Sequence, residues 1–232
     1  MSWKAEAKRR AAAKAVEHVE SGMVLGLGSG STAAEGVRAL GVKLRAGELT
    51  DVKGVPTSYQ AIQEAVKARI PLTTLDEYPE LDLGFDGADQ LDRGLNAIKG
   101  GGGALLREKI VASCCRQYIL VADESKLTDT LGEGQPVTLE VHPIAVTPVL
   151  RKLEAMGAEA KVRQAVGKLG PVVTDNGNNL VDALFGYIED PKALNQRLHS
   201  VQGLLETGLF IGYADLAYIG TEDSVYRLDK MV

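Results

Sequence analysis

Short apolar strands alternate with helical segments over the first 122 residues of this chain. Continuous apolar runs predict strands, and strong helix formers with apolar residues at helical spacing predict helices. The predicted strands are residues 23–27, 52–55, 71–75, 81–85 and 118–122, and the predicted helices are residues 3–20, 31–44, 58–67 and 103–112. Since parallel strands are joined by right-handed crossovers, this alternation predicts an α/β fold with a doubly wound, mainly parallel sheet and helices on both faces.

The pattern changes near residue 130, where the loop sequence LGEGQP occurs. The elements predicted beyond this loop are strand 137–141, helix 147–156, strands 160–163 and 180–184, and helix 191–199. This order is close to a βαββαβ unit, which indicates a second, smaller α+β lobe. Further short strands are expected to return to the first sheet, at residues 209–211, 216–219 and 225–228. We therefore predict an α/β domain carrying the functional site and a small lobe, at residues 1–129 plus 205–232 and 130–204 respectively.

Charge and composition narrow the choice of partners. The formal net charge is −5, whereas surfaces that bind nucleic acid are usually basic, so we expect no nucleic-acid partner. No run of 18 apolar residues is present, so we expect no membrane span. The only cysteines, Cys114 and Cys115, are neighbours, which disfavours a structural disulfide and fits two reduced thiols in the cytoplasm. The Ala- and Arg-rich first 20 residues contain three glutamates, so we expect a first helix rather than a transit peptide.

Glycines and hydroxyl side chains occupy the junction between the first predicted strand and the next helix, in the run GLGSGSTA at 26–33. Glycines let the backbone turn tightly and approach a ligand. The free N–H groups of a helix start, with the hydroxyls of Ser29, Ser31 and Thr32, suit an anion. The alternative is a plain tight turn with an N-cap serine, but three glycines and three hydroxyls exceed its needs. The run therefore favours a phosphate or carboxylate site.

Carboxylates follow the fourth predicted strand. Asp86 lies directly after the predicted strand 81–85, and Asp89 lies three positions further on. Open parallel sheets bind ligands beyond the carboxyl ends of their strands, and two nearby carboxylates suit acid–base chemistry. An Asp-rich turn is the structural alternative. The spacing does not match a calcium loop.

Four consecutive glycines, Gly100, Gly101, Gly102 and Gly103, precede the last helix of the first pattern. Such a run is costly in conformational entropy, so a close backbone approach or free N–H groups must be needed there. A nest of N–H groups can bind an oxyanion as it develops. Lys99 enters this loop, and Glu108 lies one to two turns into the helix. For Glu108 alone, a solvated helix residue is the alternative.

The histidines, His18, His142 and His199, are far apart and lack the spacing of metal ligands, so we expect no metal site. No nucleophile elbow is present to support a Ser-His-Asp triad. Proton transfer would then fall to carboxylates and lysine, without a metal or a bound redox cofactor.

Six motifs, in this order and spread over nearly the whole chain, resemble the type A ribose-5-phosphate isomerases. They are GLGSGSTAAEG at 26–36, GVPTSYQA at 54–61, GFDGADQLD at 84–92, IKGGGGALLREKIVA at 98–112, VADESK at 121–126 and VTDNGN at 173–178. The resemblance implies a Rossmann-like α/β domain with a ferredoxin-like lobe. It also implies metal-independent interconversion of ribose 5-phosphate and ribulose 5-phosphate in the non-oxidative pentose phosphate pathway, by a cytoplasmic homodimer or tetramer.

The same resemblance assigns roles to individual residues. Glu108 would be the base that moves a proton between C2 and C1. Lys99 would stabilise or protonate oxygen as charge develops, and Asp86 and Asp89 would bind sugar hydroxyls and assist ring opening. The residues that would bind substrate and phosphate are Ser29, Gly30, Ser31, Thr32, Lys126, Lys8, Gly100, Gly101, Gly102 and Gly103. Two positions depart from the family pattern, which has Thr at Ser29 and Glu at Gln90.

Three other interpretations remain open. The spacing Gly28-x-Gly30-x-x-Ala33 fits a relaxed dinucleotide fingerprint, with Glu48 near the expected acidic position, so an NAD-dependent oxidoreductase is one. A sugar-phosphate sensor is another; it predicts an attached DNA-binding helix-turn-helix and loss of the catalytic set. The third is another isomerase or an acyl-transferring member of the same broad superfamily.

Overall fold

A computed structural model describes residues 2–230 of the chain. Over these residues it contains six α-helices, which are α1 (Trp3–Val16), α2 (Gly30–Ala46), α3 (Tyr59–Ala68), α4 (Leu105–Cys114), α5 (Val146–Ala155) and α6 (Pro191–His199). The strands of the same residues are β1 (Val24–Leu27), β2 (Lys53–Pro56), β3 (Leu81–Gly87), β4 (Gln90–Leu91), β5 (Ala97–Ile98), β6 (Cys115–Asp123), β7 (Val137–Val141), β8 (Glu159–Val162), β9 (Asn179–Leu184), β10 (Leu204–Thr207), β11 (Leu209–Phe210), β12 (Leu216–Gly220) and β13 (Val225–Asp229).

The described chain forms two compact units. The first contains residues 2–88, 107–127 and 212–230, and the second contains residues 89–106 and 128–211. Residues 89–106 and 205–211 belong to the second unit, although the sequence analysis grouped them with the first domain, so β11 does not return to the first sheet as expected. The two folding domains expected from the sequence stay a prediction.

The first unit is built on a mixed sheet in the order β13-β12-β6-β3-β1-β2. All neighbouring strands are parallel except β13, which pairs antiparallel with β12. Leu25 of β1, for example, lies opposite Gly54 of β2 and Leu83 of β3. The predicted doubly wound, mainly parallel sheet is confirmed.

Helices cover both faces of this sheet. Leu25 and Phe85 face one side and pack with Val37 of α2 in a large buried cluster that also includes residues of α1 and α3. Val24 of β1 faces the other side and packs with Val111 of α4, in a second buried cluster that also includes Leu81 at the start of β3. Successive side chains of a strand point to opposite faces, so an apolar strand without polar alternation is buried on both sides.

The second unit contains two small sheets among its described residues. Four strands pair antiparallel in the order β10-β7-β9-β8, and α5 and α6 pack against them around a buried apolar cluster. A three-stranded sheet, β11-β5-β4, carries the start of the glycine loop. The smaller α+β lobe is therefore confirmed as an antiparallel sheet with helices.

Several predicted boundaries are wrong. Strand 71–75 is reduced to one parallel bridge between Leu72 and Gly54, because Pro71 has no N–H to donate and the chain turns at once, with Tyr78 N–H bonded to the Thr74 carbonyl. Helix α1 ends at Val16 rather than at residue 20. The two-residue strands β4 and β5 were not predicted, because so short a segment has no period.

Candidate active site

The carboxyl ends of β1 and β3 are adjacent in the first unit. From β1 the chain runs to β2 on one side, and after β2 it returns to the other side of β1 to form β3. Open α/β sheets bind ligands at such a reversal of strand order, beyond the carboxyl ends of the strands. Ser29 follows β1 and Asp86 lies near the end of β3. Both predicted residues therefore lie where this fold places ligands.

Asp86 connects these two strand ends. Its Oδ1 accepts hydrogen bonds from the N–H groups of Ser29 at 3.1 Å and Gly87 at 2.7 Å. The Gly28 N–H donates to the Phe85 carbonyl at 3.1 Å. A Cβ at position 28 would collide with the Asp86 side chain and with that carbonyl, so the close approach requires glycine. Asp86 itself is only 1% exposed.

Tyr118 of β6 is a further partner of Asp86 that sequence reasoning missed. Its hydroxyl donates to Asp86 Oδ2 at 3.3 Å. Burial raises the pKa of Tyr118 well above its ordinary value of 10.0, and the negative charges of Asp86 and Glu108 raise that pKa further. Tyr118 is therefore a neutral hydrogen-bond donor at neutral pH. One tyrosine in an apolar strand looks in sequence like any core residue, so no signal could have found it.

Glu108 lies in α4 and is 5% exposed. Its charge acts on the same tyrosine that binds Asp86, so the first unit brings the two predicted carboxylates close to one phenol. The alternative interpretation of Glu108, a solvated helix residue, is wrong because the side chain is buried.

The hydroxyl of Ser29 contacts the residues just before α3. Ser29 Oγ lies 2.7 Å from Thr57 Oγ1 and donates to Ser58 Oγ at 2.6 Å. The neighbouring Gly30 N–H donates to Gln60 Oε1 at 2.7 Å. Residues 57–60 therefore hold the turn after β1. The sequence offered a signal for them in the motif GVPTSYQA, although no role was assigned there.

The start of α2 meets a lysine of α1. Lys8 Nζ lies 3.1 Å from Ser31 Oγ, and α1 packs against α2. Gly30 is the first residue of α2, and Thr32 lies in its first turn. A helix N-terminus carries partial positive charge and attracts anions, and the Lys8 ammonium adds to that field. The structure thus brings together the predicted anion-binding residues Lys8, Gly30, Ser31 and Thr32.

Lys126 ends a 3-10 turn over Glu124–Lys126, directly after β6. The carboxylate of Asp123 accepts the Ser125 N–H at 3.1 Å and the Ser125 hydroxyl, which fixes this turn. Because β6 is the parallel neighbour of β3, Lys126 lies at the same edge of the sheet as Asp86.

In the second unit, Lys99 follows β5 directly and is buried. Its N–H donates to the Gly208 carbonyl at 2.8 Å, which continues the pairing of β5 with the segment around β11. The Lys99 ammonium lies 5.3 Å from the centroid of the Phe210 ring, within cation–π range. The lysine that begins the glycine loop is therefore held by backbone and ring.

Asp89 binds this glycine loop within the second unit. Its N–H donates to the Ile98 carbonyl at 2.8 Å, and its Oδ2 accepts the Gly101 N–H at 2.7 Å. Gly100 and Gly103 have φ values of +106° and +77°, a left-handed conformation that favours glycine. The loop needs its glycines for conformation, and its predicted aspartate partner is in contact with it.

Glu48 does not lie where a dinucleotide-binding fold needs its acidic residue. Glu48 is exposed in the turn after α2, 3.9 Å from Lys43 Nζ. β2 ends at Pro56 and is followed by Thr57. A nucleotide ribose needs a carboxylate at the end of the second strand, where this chain has none in sequence.

Among residues 2–230, no group of three or more His, Cys, Asp and Glu side chains is arranged to hold a metal ion. In the same range, no helix is both long enough and apolar enough to cross a membrane.

Known proteins of the same family are similar to this chain both in sequence and in structure. Residues 53–224 match the family model of ribose 5-phosphate isomerase A (phosphoriboisomerase A). The ribose-5-phosphate isomerase A of Thermosynechococcus vestitus is 49% identical over 213 residues, which are 92% of this chain and 90% of that protein.

Two solved structures match almost the entire chain. Ribose 5-phosphate isomerase A from Methanocaldococcus jannaschii has a TM-score of 0.93 at 44% identity, over 97% of this chain and 99% of that one. A D-ribose-5-phosphate isomerase solved in complex with phospho-erythronic acid has a TM-score of 0.96 at 42% identity, with the same coverage. With sequence identity this high over nearly its full length, the chain belongs to the ribose-5-phosphate isomerase A family.

Proposed function

We propose that this chain interconverts D-ribose 5-phosphate and D-ribulose 5-phosphate by carboxylate-mediated proton transfer, without a metal or other cofactor, in the non-oxidative pentose phosphate pathway. Membership of the isomerase family supports the reaction class. The observation that carries the mechanism is the buried carboxylate of Glu108, whose charge raises the pKa of Tyr118, the phenol that donates a hydrogen bond to Asp86.

In the proposed reaction, Glu108 removes the proton on C2 of the open-chain aldose. The electrons of that C–H bond form the C1–C2 double bond, and the carbonyl electrons move onto O1, which gives an enediolate. The proton then returns from Glu108 to C1, and the proton of the O2 hydroxyl passes to O1, so that the C2 carbonyl forms and O1 becomes a hydroxyl. A positioned base of this kind contributes about 10²–10⁴-fold to the rate. Burial keeps bulk water out of the proton-transfer step.

Asp86 and Asp89 are proposed to bind sugar hydroxyls and to assist ring opening. Two backbone N–H groups and the Tyr118 hydroxyl orient the Asp86 carboxylate, which supports a fixed acceptor rather than a mobile surface charge. The contact of Asp89 with the Gly101 N–H supports a similarly fixed orientation.

Lys99 and the glycine loop are proposed to stabilise the negative oxygen of the enediolate. Two observations support this role: Lys99 is buried, and Gly100 and Gly103 adopt positive φ values that glycine allows. In comparable oxyanion sites the loss of one donor costs roughly 2.7–4 kcal/mol of transition-state stabilisation.

The phosphate is proposed to bind at the start of α2, on Ser29, Gly30, Ser31 and Thr32, with Lys8 and Lys126 supplying positive charge. The field of a helix N-terminus and the Lys8–Ser31 contact support this assignment. A relative solved with phospho-erythronic acid, a phosphorylated sugar acid, supports a phosphosugar as the ligand. Anchoring the phosphate would orient the reacting carbons through binding energy far from them.

The decisive experiment is conversion of ribose 5-phosphate to ribulose 5-phosphate by the purified chain with EDTA present, with unphosphorylated ribose as the matched control substrate. Rapid turnover of the phosphorylated sugar, with far weaker binding of ribose, is expected. Turnover only after metal addition would overturn metal independence. Binding of ribose 5-phosphate without any turnover would favour the sensor interpretation.

We further propose a cytoplasmic homodimer, with a tetramer as the alternative. The reduced state of Cys114 and Cys115 is consistent with a reducing compartment. Light scattering of the purified chain gives the mass, and a monomer across the working concentration range would contradict the proposal.

A further inference from the structure

Arg163 uses every donor of its guanidinium within the second unit. Nη1 donates to the carbonyl oxygens of Gly100 and Gly101, each at 3.0 Å. Nη2 donates to Thr138 Oγ1 at 2.8 Å and to Asp182 Oδ1, and Nε donates to Asp182 Oδ2 at 2.8 Å. These contacts match the five N–H donors of a planar guanidinium. The side chain is therefore fixed in one plane.

The side chains that hold the Arg163 guanidinium belong to the four-stranded sheet. Asp182 of β9 lies opposite Thr138 of β7 in the strand register, and the Thr138 hydroxyl donates to Asp182 Oδ1 at 3.1 Å. Arg163 follows β8, and its own N–H donates to the Leu180 carbonyl at 2.9 Å. The Arg163 and Asp182 side chains are only 20% and 13% exposed. A two-pronged, largely buried arginine–carboxylate pair supplies both energy and direction.

The bonds from Arg163 orient two peptide units of the glycine loop. In a trans peptide, the carbonyl and the following N–H point in opposite directions. Since Arg163 holds the carbonyls of Gly100 and Gly101, the N–H groups of Gly101 and Gly102 point away from the guanidinium. The Gly101 N–H meets Asp89 Oδ2 at 2.7 Å. The surroundings of Gly102 are open, since a Cβ there would meet nothing within 4 Å.

We propose that Arg163 is a positioning residue of the isomerisation: it holds the glycine loop so that the Gly102 N–H faces the oxygen that becomes negative, while the Gly101 N–H holds Asp89. A run of four glycines has no side chains to fix its conformation, so an external clamp on its carbonyls replaces what side chains would otherwise do. This inference rests on the proposed oxyanion role of Lys99 and its loop. Asp182 and Thr138 act through Arg163 and need not touch the substrate.

The test is Arg163→Met, with Arg151→Met as the matched control. Arg151 is an exposed arginine of α5 in the same unit. For Arg163→Met we expect kcat to fall on the order of 10²-fold, which is the cost of small misplacements in a reaction site. KM should stay near the wild-type value, because the proposed phosphate site is formed by other residues. Arg151→Met should keep both constants. Wild-type kcat in Arg163→Met would overturn the inference.

A second variant and a second readout separate positioning from stability. Arg163→Lys keeps the charge beside Asp182 but cannot make the planar set of five bonds, so it should fold with a smaller loss of Tm than Arg163→Met and still lose kcat. Hydrogen exchange of peptides covering residues 99–106 should speed up in both Arg163 variants and not in Arg151→Met. Wild-type exchange in that segment would overturn the clamp even if activity fell.

The exchange measurement does not depend on catalysis. If the wild-type chain did not isomerise ribose 5-phosphate, the proposed function would fail while the exchange arm still tested the clamp. If wild type turned over and Lys99→Met lost kcat, but Arg163→Met and Arg163→Lys behaved like the control, the function would stand and this inference would fall.

Discussion

Tyr118→Phe tests how Asp86 is held, because it removes one hydroxyl and leaves the ring in place. The lost hydrogen bond runs from a buried phenol to a buried carboxylate. A hydrogen bond to a charged group contributes about 1.5–3 kcal/mol, and at 3.3 Å the lower end applies. In a chain of this size, 1 kcal/mol shifts Tm by about 2–4 °C, so Tm should fall by about 3–6 °C.

The same change should slow the reaction. If about 1.4 kcal/mol of Asp86 orientation is lost in the transition state, kcat falls about tenfold. The matched control is Tyr226→Phe on β13, an exposed tyrosine of the same unit. Thermal unfolding and initial rates of the three proteins would be measured side by side. Tyr118→Phe with the Tm and kcat of wild type would refute the idea that this phenol orients the carboxylate.

The pH dependence of stability adds a second check on Tyr118. Its pKa is raised in the folded chain, mainly by burial and then by Asp86 and Glu108, above the ordinary 10.0 of the unfolded chain. The folded state therefore holds a proton that the unfolded state releases above pH 10, so the free energy of unfolding falls as the pH rises through that range. Tyr118→Phe should lose less stability than wild type between neutral pH and pH 11. Parallel curves in urea titrations would contradict the raised pKa.

Three further predictions concern other residues. Glu108→Gln keeps the shape of the side chain and removes the base, so kcat should fall about 10²–10⁴-fold with KM nearly unchanged; wild-type kcat would exclude Glu108 as the base. Gly28→Ala places a Cβ against Asp86, so both Tm and kcat should fall. Its control is Gly47→Ala, at the end of α2 with open surroundings, which should lower Tm alone. Equal kcat values in the two variants would contradict a close approach at position 28. Burial raises the pKa of Cys115 from 9.0 to about 12. Alkylation of this thiol by iodoacetamide at pH 8 should therefore be about 10³-fold slower in the folded chain than in the unfolded chain. Equal alkylation rates, measured by mass spectrometry, would show that the thiol is accessible.

The parts of the site that the sequence could predict are those where composition is unusual. Glycines and hydroxyls after β1 stand out because their number exceeds what a plain turn needs, whereas the aspartate near the end of β3 stands out by its place at the carboxyl end of a parallel strand. The structure brings Ser29, Asp86 and the α2 start to one edge of the sheet. The Ser29 hydroxyl, however, contacts Thr57 and Ser58, a detail that depends on how α3 approaches β1.

What the sequence could not predict depends on single residues in ordinary surroundings. Tyr118 lies in an apolar strand, and Arg163 lies beside a polar loop, so neither differs locally from a core or surface residue. Asp86, the partner of Tyr118, is 32 positions away in sequence, and the loop carbonyls that Arg163 binds are 62 and 63 positions away. Residues 71–75 show the opposite error, because their sequence predicted a strand that the structure does not contain. Pro71 has no N–H to donate, and only one bridge, between Leu72 and Gly54, forms there.

The strand order of the first sheet has a consequence for synthesis of the chain on the ribosome. β6 is made early, but its neighbour β12 comes about 90 residues later, and β13, which covers the far edge of β12, follows last. A nascent chain that has reached only the second unit therefore exposes one unpaired backbone edge of β6, where residues 119–123 later pair with β12. Such an edge can pair with another chain until it is covered. β12 finally covers this edge, and the outermost strand, β13, carries Arg227 and Asp229, charges that discourage further strand addition.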